Sequence, residues 1–201
     1  MRLVRNPDYR SASALYSLDL ALQIAEPCAA DEGLCISSGE CIYDDAAIER
    51  VLSVSGSALA VDSSRYVASS TKVIAENGDV LFTGTGIPKH AATAVVTGLC
   101  KLDAHACGVL SAIAAESTAE KRDAPIAVAL GDLIRRARMT LVDIAGTKWA
   151  SVRTMDDLQA ADKRFSRFSC PASDVSSSTW TGPCTWGTSR SVAPLSSSAA
   201  I

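Results

Sequence analysis

The sequence predicts an α/β protein, a three-layer sandwich with a mostly parallel sheet and one β-hairpin. Three observations predict it. Short apolar runs alternate with segments of helical period, as in βαβ units. Asn77-Gly78 sits between two strand-like runs, the strongest short-range signal for a hairpin. The composition, 48% hydrophobic and 20% charged over 201 residues, is that of one globular domain of ordinary size.

From the N-terminus, residues 11–25 carry Leu15, Leu18, Leu22 and Ala25 on one helical stripe, and Pro27 is expected to stop that helix. Leu34-Cys35-Ile36-Ser37 reads as a buried parallel strand ending in the loop Ser38-Gly39-Glu40. Asp44 or Asp45 caps a helix whose apolar positions Ile48, Val51 and Leu52 follow the 3.6-residue period. Residues 57–61 form a second buried strand closed by Asp62, and residues 72–76 and 79–83 form the hairpin. Residues 93–99 make a further strand, followed by a helix capped at Asp103 and running to about Glu116.

After the polar break 117–123 a helix is expected over 125–139. Pro125 suits its first turn, and Arg135, Arg136 and Arg138 suit the negative end of its macrodipole. Residues 141–144 form a strand, residues 146–149 a turn, and Thr154 with Asp157 opens a last helix reaching about Phe168. From 169 to 201 the chain is rich in Ser and Thr and has no period, which reads as a disordered tail. The domain is therefore expected over 1–168.

Charge and cysteine usage narrow the function classes. A net charge of −3 with a pI near 5.4 argues against a nucleic-acid partner. No apolar run is long enough to span a membrane, and the N-terminus lacks the apolar core of a secretory signal. The seven cysteines include no C-x-x-C pair. They read as small buried hydrophobes in a reducing compartment, which implies a cytoplasmic location.

Ligands of parallel α/β sheets bind beyond the carboxyl ends of the strands. The residues to inspect are therefore Glu40, Asp62, Lys72 at the hairpin base, and residues 149–153. His90 and His105 have no acidic or cysteine neighbour at ligand spacing and are assigned no catalytic role.

Four blocks in register resemble the small sugar-phosphate and phosphocholine-type nucleotidyltransferases. They are Asn6-Pro7-Asp8-Tyr9 with Tyr16-Ser17-Leu18; Ser38-Gly39-Glu40 with Tyr43-Asp44; Val61-Asp62 with Lys72-Val73 and the Asn77-Gly78 turn; and Gly146 through Leu158 around Trp149. The resemblance implies a Rossmann-like, GT-A-type fold. It also implies transfer of a nucleoside monophosphate from a nucleoside triphosphate to a small phosphorylated substrate, with release of pyrophosphate. By the same resemblance Glu40 is the expected Mg²⁺ ligand, Lys72 the catalytic phosphate contact, and Asp62 and Trp149 the substrate-binding residues. Two anions must meet in such a reaction, so catalysis is positioning and charge neutralisation.

The chain departs from that pattern. The family's Gly-rich loop has no counterpart, the first metal Asp is matched by Glu40, and its D-x-D carboxylates are replaced by Ser151 and Arg153. An arginine does not ligate Mg²⁺. The alternative expectation is accordingly a catalytically inactive relative or truncated product, acting as a binding or regulatory protein and prone to self-association through an open sheet edge.

Overall fold

The computed structural model describes residues 3–120 and 125–165. The expected tail over 169–201 lies outside the described residues, as does the end of the last helix. Five helices and eight strands are described: α1 (Ala14–Glu32), β1 (Leu34–Ser37), β2 (Cys41–Tyr43), α2 (Asp45–Leu52), β3 (Ala58–Asp62), β4 (Lys72–Glu76), β5 (Asp79–Gly84), β6 (Ala94–Leu102), α3 (Ala104–Glu120), α4 (Ile126–Arg136), β7 (Thr140–Asp143), β8 (Trp149–Ser151) and α5 (Met155–Phe165).

Local chemistry explains most of these boundaries. Asp44 is the N-cap of α2 and accepts the Ala47 N–H at 2.9 Å. Asp103 does the same for α3, accepting from Ala106 at 2.8 Å. Asn77 and Gly78 both take positive φ, 53° and 84°, as a two-residue hairpin turn demands. One boundary differs from expectation. Helix α1 passes through Pro27 to Glu32, so the missing proline N–H costs one i→i−4 bond without ending the helix.

The principal sheet has the order β1-β6-β3-β7-β5-β4, and β4 pairs again with β6, so β6, β3, β7, β5 and β4 close a ring of pairings. The sheet is mixed, which corrects the expectation of a mostly parallel one. Only β3 and β7 pair in parallel among the described strands. The reason is connectivity. Strands β1, β3 and β7 run in one direction, as the sequence pattern implies. The hairpin reverses the chain between β4 and β5, and the link from β5 to β6 keeps the reversed direction, so β6 runs antiparallel to β1 and β3 and inserts between them. Consequently β1 is paired on one side only among the described strands, and it is half-buried rather than buried.

Strand β3 is buried along its whole length and feeds a core on each face. Leu59 and Val61 pack with Leu15, Leu18 and Leu22 of α1, Ile113 of α3 and Leu133 of α4. Ala58 and Ala60 face Ala47 and Val51 of α2, with Ile144 and Trp149. Alternation of period two thus places small residues toward α2 and large ones toward the three-helix face. Burial pushes the Cys100 thiol up to about 12 and the Cys107 thiol up to about 11, so both are inert packing groups. No described helix is long and apolar enough to cross a membrane.

A bulge in β6 sets the site that follows. The β3–β6 register shifts between Leu59 and Val61, and Gly98 opposite the shift has φ +91°. The carbonyl of Gly98 accepts the Ser38 N–H at 2.8 Å, while that of Thr97 accepts the Tyr43 hydroxyl at 2.7 Å and the Cys41 thiol at 3.3 Å. A Cβ on Gly98 would stand 3.0 Å from the Ser38 Cβ. Gly98→Ala is therefore expected to destabilise the protein by about 1–3 kcal/mol, through the left-handed backbone and the crowded loop. A lowered urea midpoint at unchanged slope is the expected reading.

Candidate functional site

The carboxyl end of β1, the bulged stretch of β6, Leu59 of β3 and the segment after β7 line a cavity of about 790 Å³. Its polar end is formed by Ser38, Glu40, Arg65, Ser69, Trp149, Arg153 and their neighbours, and its floor by Leu18, Ile36, Leu59, Leu110 and Leu130. The size and the apolar floor with few convergent polar groups are those of a small-molecule site.

The sequence reading did not anticipate the ribbon that shapes the polar end. β2 and β8 pair antiparallel, with Cys41 opposite Ser151 and Tyr43 opposite Trp149. The pairing continues one step further, where Val152 N–H donates to the Glu40 carbonyl at 2.7 Å. This register brings Arg153 against Glu40. The Arg153 Nε and Nη2 both donate to Glu40 Oε1 at 2.9 Å. Three-residue strands carry too little period for sequence to reveal them.

Glu40, the expected Mg²⁺ ligand, thus lines the cavity as half of an ion pair. Trp149 lines it too, buried, with its indole N–H donating to Asp62 Oδ2 at 2.7 Å. Asp62 stands behind Trp149 and Arg65 and does not line the cavity. Its carboxylate also takes the Ser64 N–H at 2.8 Å and Arg65 Nε at 3.3 Å. The Arg65 guanidinium lies 5.0 Å from the Trp149 ring centroid.

Lys72 is 1% exposed and follows the lining residue Thr71 without itself reaching the cavity. Its ammonium donates to the carbonyls of Ala68, at 2.6 Å, and Thr85, and lies 5.5 Å from the Tyr66 ring centroid. The structure therefore brings Glu40, Trp149 and Asp62 together and leaves Lys72 as a clamp between two loops. Arg65 and Ser69 are lining residues that sequence reasoning missed. The signal was present as Asp62-x-x-Arg65, a strand-end carboxylate with a cation at turn spacing, and as the hydroxyl-rich run before the hairpin.

At the mouth, Thr154 and Asp157 form a reciprocal box that starts α5. The Asp157 N–H donates to Thr154 Oγ1 at 3.1 Å, and Asp157 Oδ2 accepts the Thr154 N–H at 2.9 Å and the Arg153 N–H at 3.1 Å. The Arg153 N–H bond, followed by those from Thr154, holds the Asp157 carboxyl below its ordinary value. A group depressed in the folded state stabilises fully above the unfolded carboxylate value of about 3.9, and that contribution is lost as pH falls through the lowered folded value. Loss of the α5 start on acidification through that window, read by amide chemical shifts of Thr154 and Asp157, is the expected outcome.

The donor set does not fit Mg²⁺. A hard cation needs several oxygens, usually more than one carboxylate. Here Glu40 is paired to Arg153, Asp157 is committed to backbone N–H groups, and Asp62 is buried against Trp149. Among the described residues no group of three His, Cys, Asp or Glu could hold a metal.

No protein-family model matches the chain, and no curated protein matches its sequence. Solved structures match its fold. The chain has the fold of the sugar-phosphate and phosphocholine nucleotidyltransferases. It is similar to the inositol-1-phosphate CTP transferase from T. maritima, with a TM-score of 0.61 at 16% identity over 78% of this chain and 62% of that one. It is similar as well to the CTP:phosphocholine cytidylyltransferase from Streptococcus pneumoniae, at 0.61 and 13% over 81% and 68%. The nucleoside-diphosphate-sugar pyrophosphorylase from Vibrio cholerae matches at 0.52 and 14% over 75% and 65%. The chain spans about 62% of the length of the T. maritima enzyme.

Proposed function

We propose that this chain is a binding protein built on the nucleotidyltransferase fold. It takes a nucleotide or a small phosphorylated molecule into the cavity beside Glu40, Arg65, Trp149 and Arg153, without transferring a nucleotidyl group. The Glu40–Arg153 ion pair carries this reading. Nucleotidyl transfer brings two anions together and needs a surplus of positive charge or metal to do so. The charged residues lining this cavity are Arg65 and Arg153 against Glu40 and Asp157, so the lining is balanced. Both arginines are already engaged by carboxylates.

The similar solved structures support the ligand class, since their names include CTP, phosphocholine and inositol 1-phosphate. In this reading Trp149 and Arg65 form the wall against which the ligand packs, Asp62 holds both of them, and Lys72 fastens the loop that precedes β4. Self-association through β1, which is paired on one side only among the described strands, belongs to the same proposal.

The test is a pair of measurements on the purified chain with a nucleoside triphosphate, glucose 1-phosphate and Mg²⁺. Calorimetric binding without pyrophosphate release is the expected result. Pyrophosphate release that requires Mg²⁺ and disappears in Glu40→Gln would overturn it, and so would the absence of any binding at millimolar ligand.

A further inference from the structure

We propose that the Arg153 guanidinium takes the electrostatic place of a divalent cation here, so that the cavity holds the phosphate monoester of its ligand directly and independently of metal. This rests on the binding reading above and names its chemistry. The argument begins with hydrogen-bond capacity. A guanidinium has five N–H donors in a planar fork. Arg153 directs Nε and Nη2 to a single oxygen of Glu40, which leaves further N–H groups of this cavity-lining residue outside that ion pair. Its side chain is 61% exposed and that of Glu40 41%, so an entering ligand reaches both.

Arg65 is a second fork on the same lining. It is held by Asp62 through Nε and by the face of Trp149, so its orientation is set before any ligand arrives. Ser151 of β8 also lines the cavity, and its hydroxyl is buried without a hydrogen-bond partner among the described residues. A buried hydroxyl left unpaired costs stability, and a ligand oxygen would relieve that cost. Two guanidiniums and a hydroxyl on one lining are the donor types that recognise phosphate oxygens, and a guanidinium does so in a planar, bidentate way.

A metal ion is disfavoured at the same place for the same reason. To reach Glu40 it would have to break two charge-assisted hydrogen bonds and remain beside a permanently charged guanidinium. Glu40 in turn competes with the ligand for Arg153, so it weakens binding rather than supporting it.

The experiment has two arms. In the first, binding of cytidine monophosphate, glucose 1-phosphate and inorganic phosphate to the full chain is measured by calorimetry, in Mg²⁺ and in EDTA. The expected result is an organic phosphate that binds tighter than inorganic phosphate, with an affinity unchanged between Mg²⁺ and EDTA. It should weaken by about tenfold or more in Arg153→Gln and tighten in Glu40→Gln. An affinity that rises tenfold with Mg²⁺, or that is indifferent to Arg153→Gln, overturns the proposal. Equal binding of all three probes overturns the assignment of an organic phosphate.

The second arm needs no ligand and so separates this proposal from the binding reading. Mn²⁺ titration followed by electron paramagnetic resonance is expected to show no bound ion on the wild-type protein. Arg153→Asp, which sets a second carboxylate beside Glu40, is expected to gain a Mn²⁺ signal that Glu40→Gln removes. Glu40-dependent Mn²⁺ binding by the wild type overturns the proposal even where phosphate binds. If no probe binds in the first arm, the binding reading fails. Circular dichroism melting of each variant confirms that it is folded.

Discussion

Asp62→Ala is expected to destabilise this protein by about 3–5 kcal/mol, the range for removing one partner of a buried charged network. Asp62 is 2% exposed at the last position of β3. Its carboxylate gathers the Trp149 indole N–H, the Ser64 backbone N–H and Arg65 Nε. Alanine would leave a buried indole donor unpaired and free the guanidinium that stacks on the same ring. The loss reaches beyond the three bonds, because Trp149 belongs to the smaller core with Ala60, Val142 and Ile144. Asp62→Asn keeps an acceptor for the indole and is expected to cost about 1–2 kcal/mol. Urea unfolding followed by far-ultraviolet circular dichroism resolves the two. An unchanged midpoint for Asp62→Ala would show that these bonds contribute no net stability.

Lys72→Ala ranks second, at about 3 kcal/mol. The side chain is among the largest fully buried ones in the protein. Its ammonium ties the Ala68 carbonyl, in the loop before β4, to the Thr85 carbonyl just after β5. Alanine removes both bonds and leaves a void beneath Tyr66. Lys72→Met preserves most of the volume and is expected to cost less, about 1–2 kcal/mol, because only the hydrogen bonds go. Neither substitution is expected to change phosphate affinity by much, since the ammonium does not reach the cavity. A Lys72→Met protein with normal stability and lost affinity would instead restore the role of phosphate contact.

These two residues show what kind of information sequence carries. Asp62 was legible as a candidate because it ends an apolar run, and strand ends in α/β proteins face ligands. That its carboxylate is turned to Trp149, 87 positions later, was not legible. Lys72 was conspicuous as a cation at a hairpin base, but its burial depends on two loops folding over it. Arg153 was legible as the wrong residue for a metal site. Only the β2–β8 register shows that it is paired with the carboxylate it would otherwise have joined in holding an ion.

The sequence by itself determined the local elements: the caps at Asp103 and at Asp44 or Asp45, the Asn77-Gly78 hairpin, the buried strand that became β3 and the box at Thr154 and Asp157. Each depends on residues within a few positions of one another, where side-chain chemistry and backbone geometry act directly. Only the tertiary structure decided the rest. The insertion of β6 between β1 and β3 turned an expected parallel sheet into a mixed one, and the ribbon of β2 and β8 set Glu40 against Arg153. Both follow from pairings between distant segments, in which long-range packing and register select among partners that local pattern leaves equivalent.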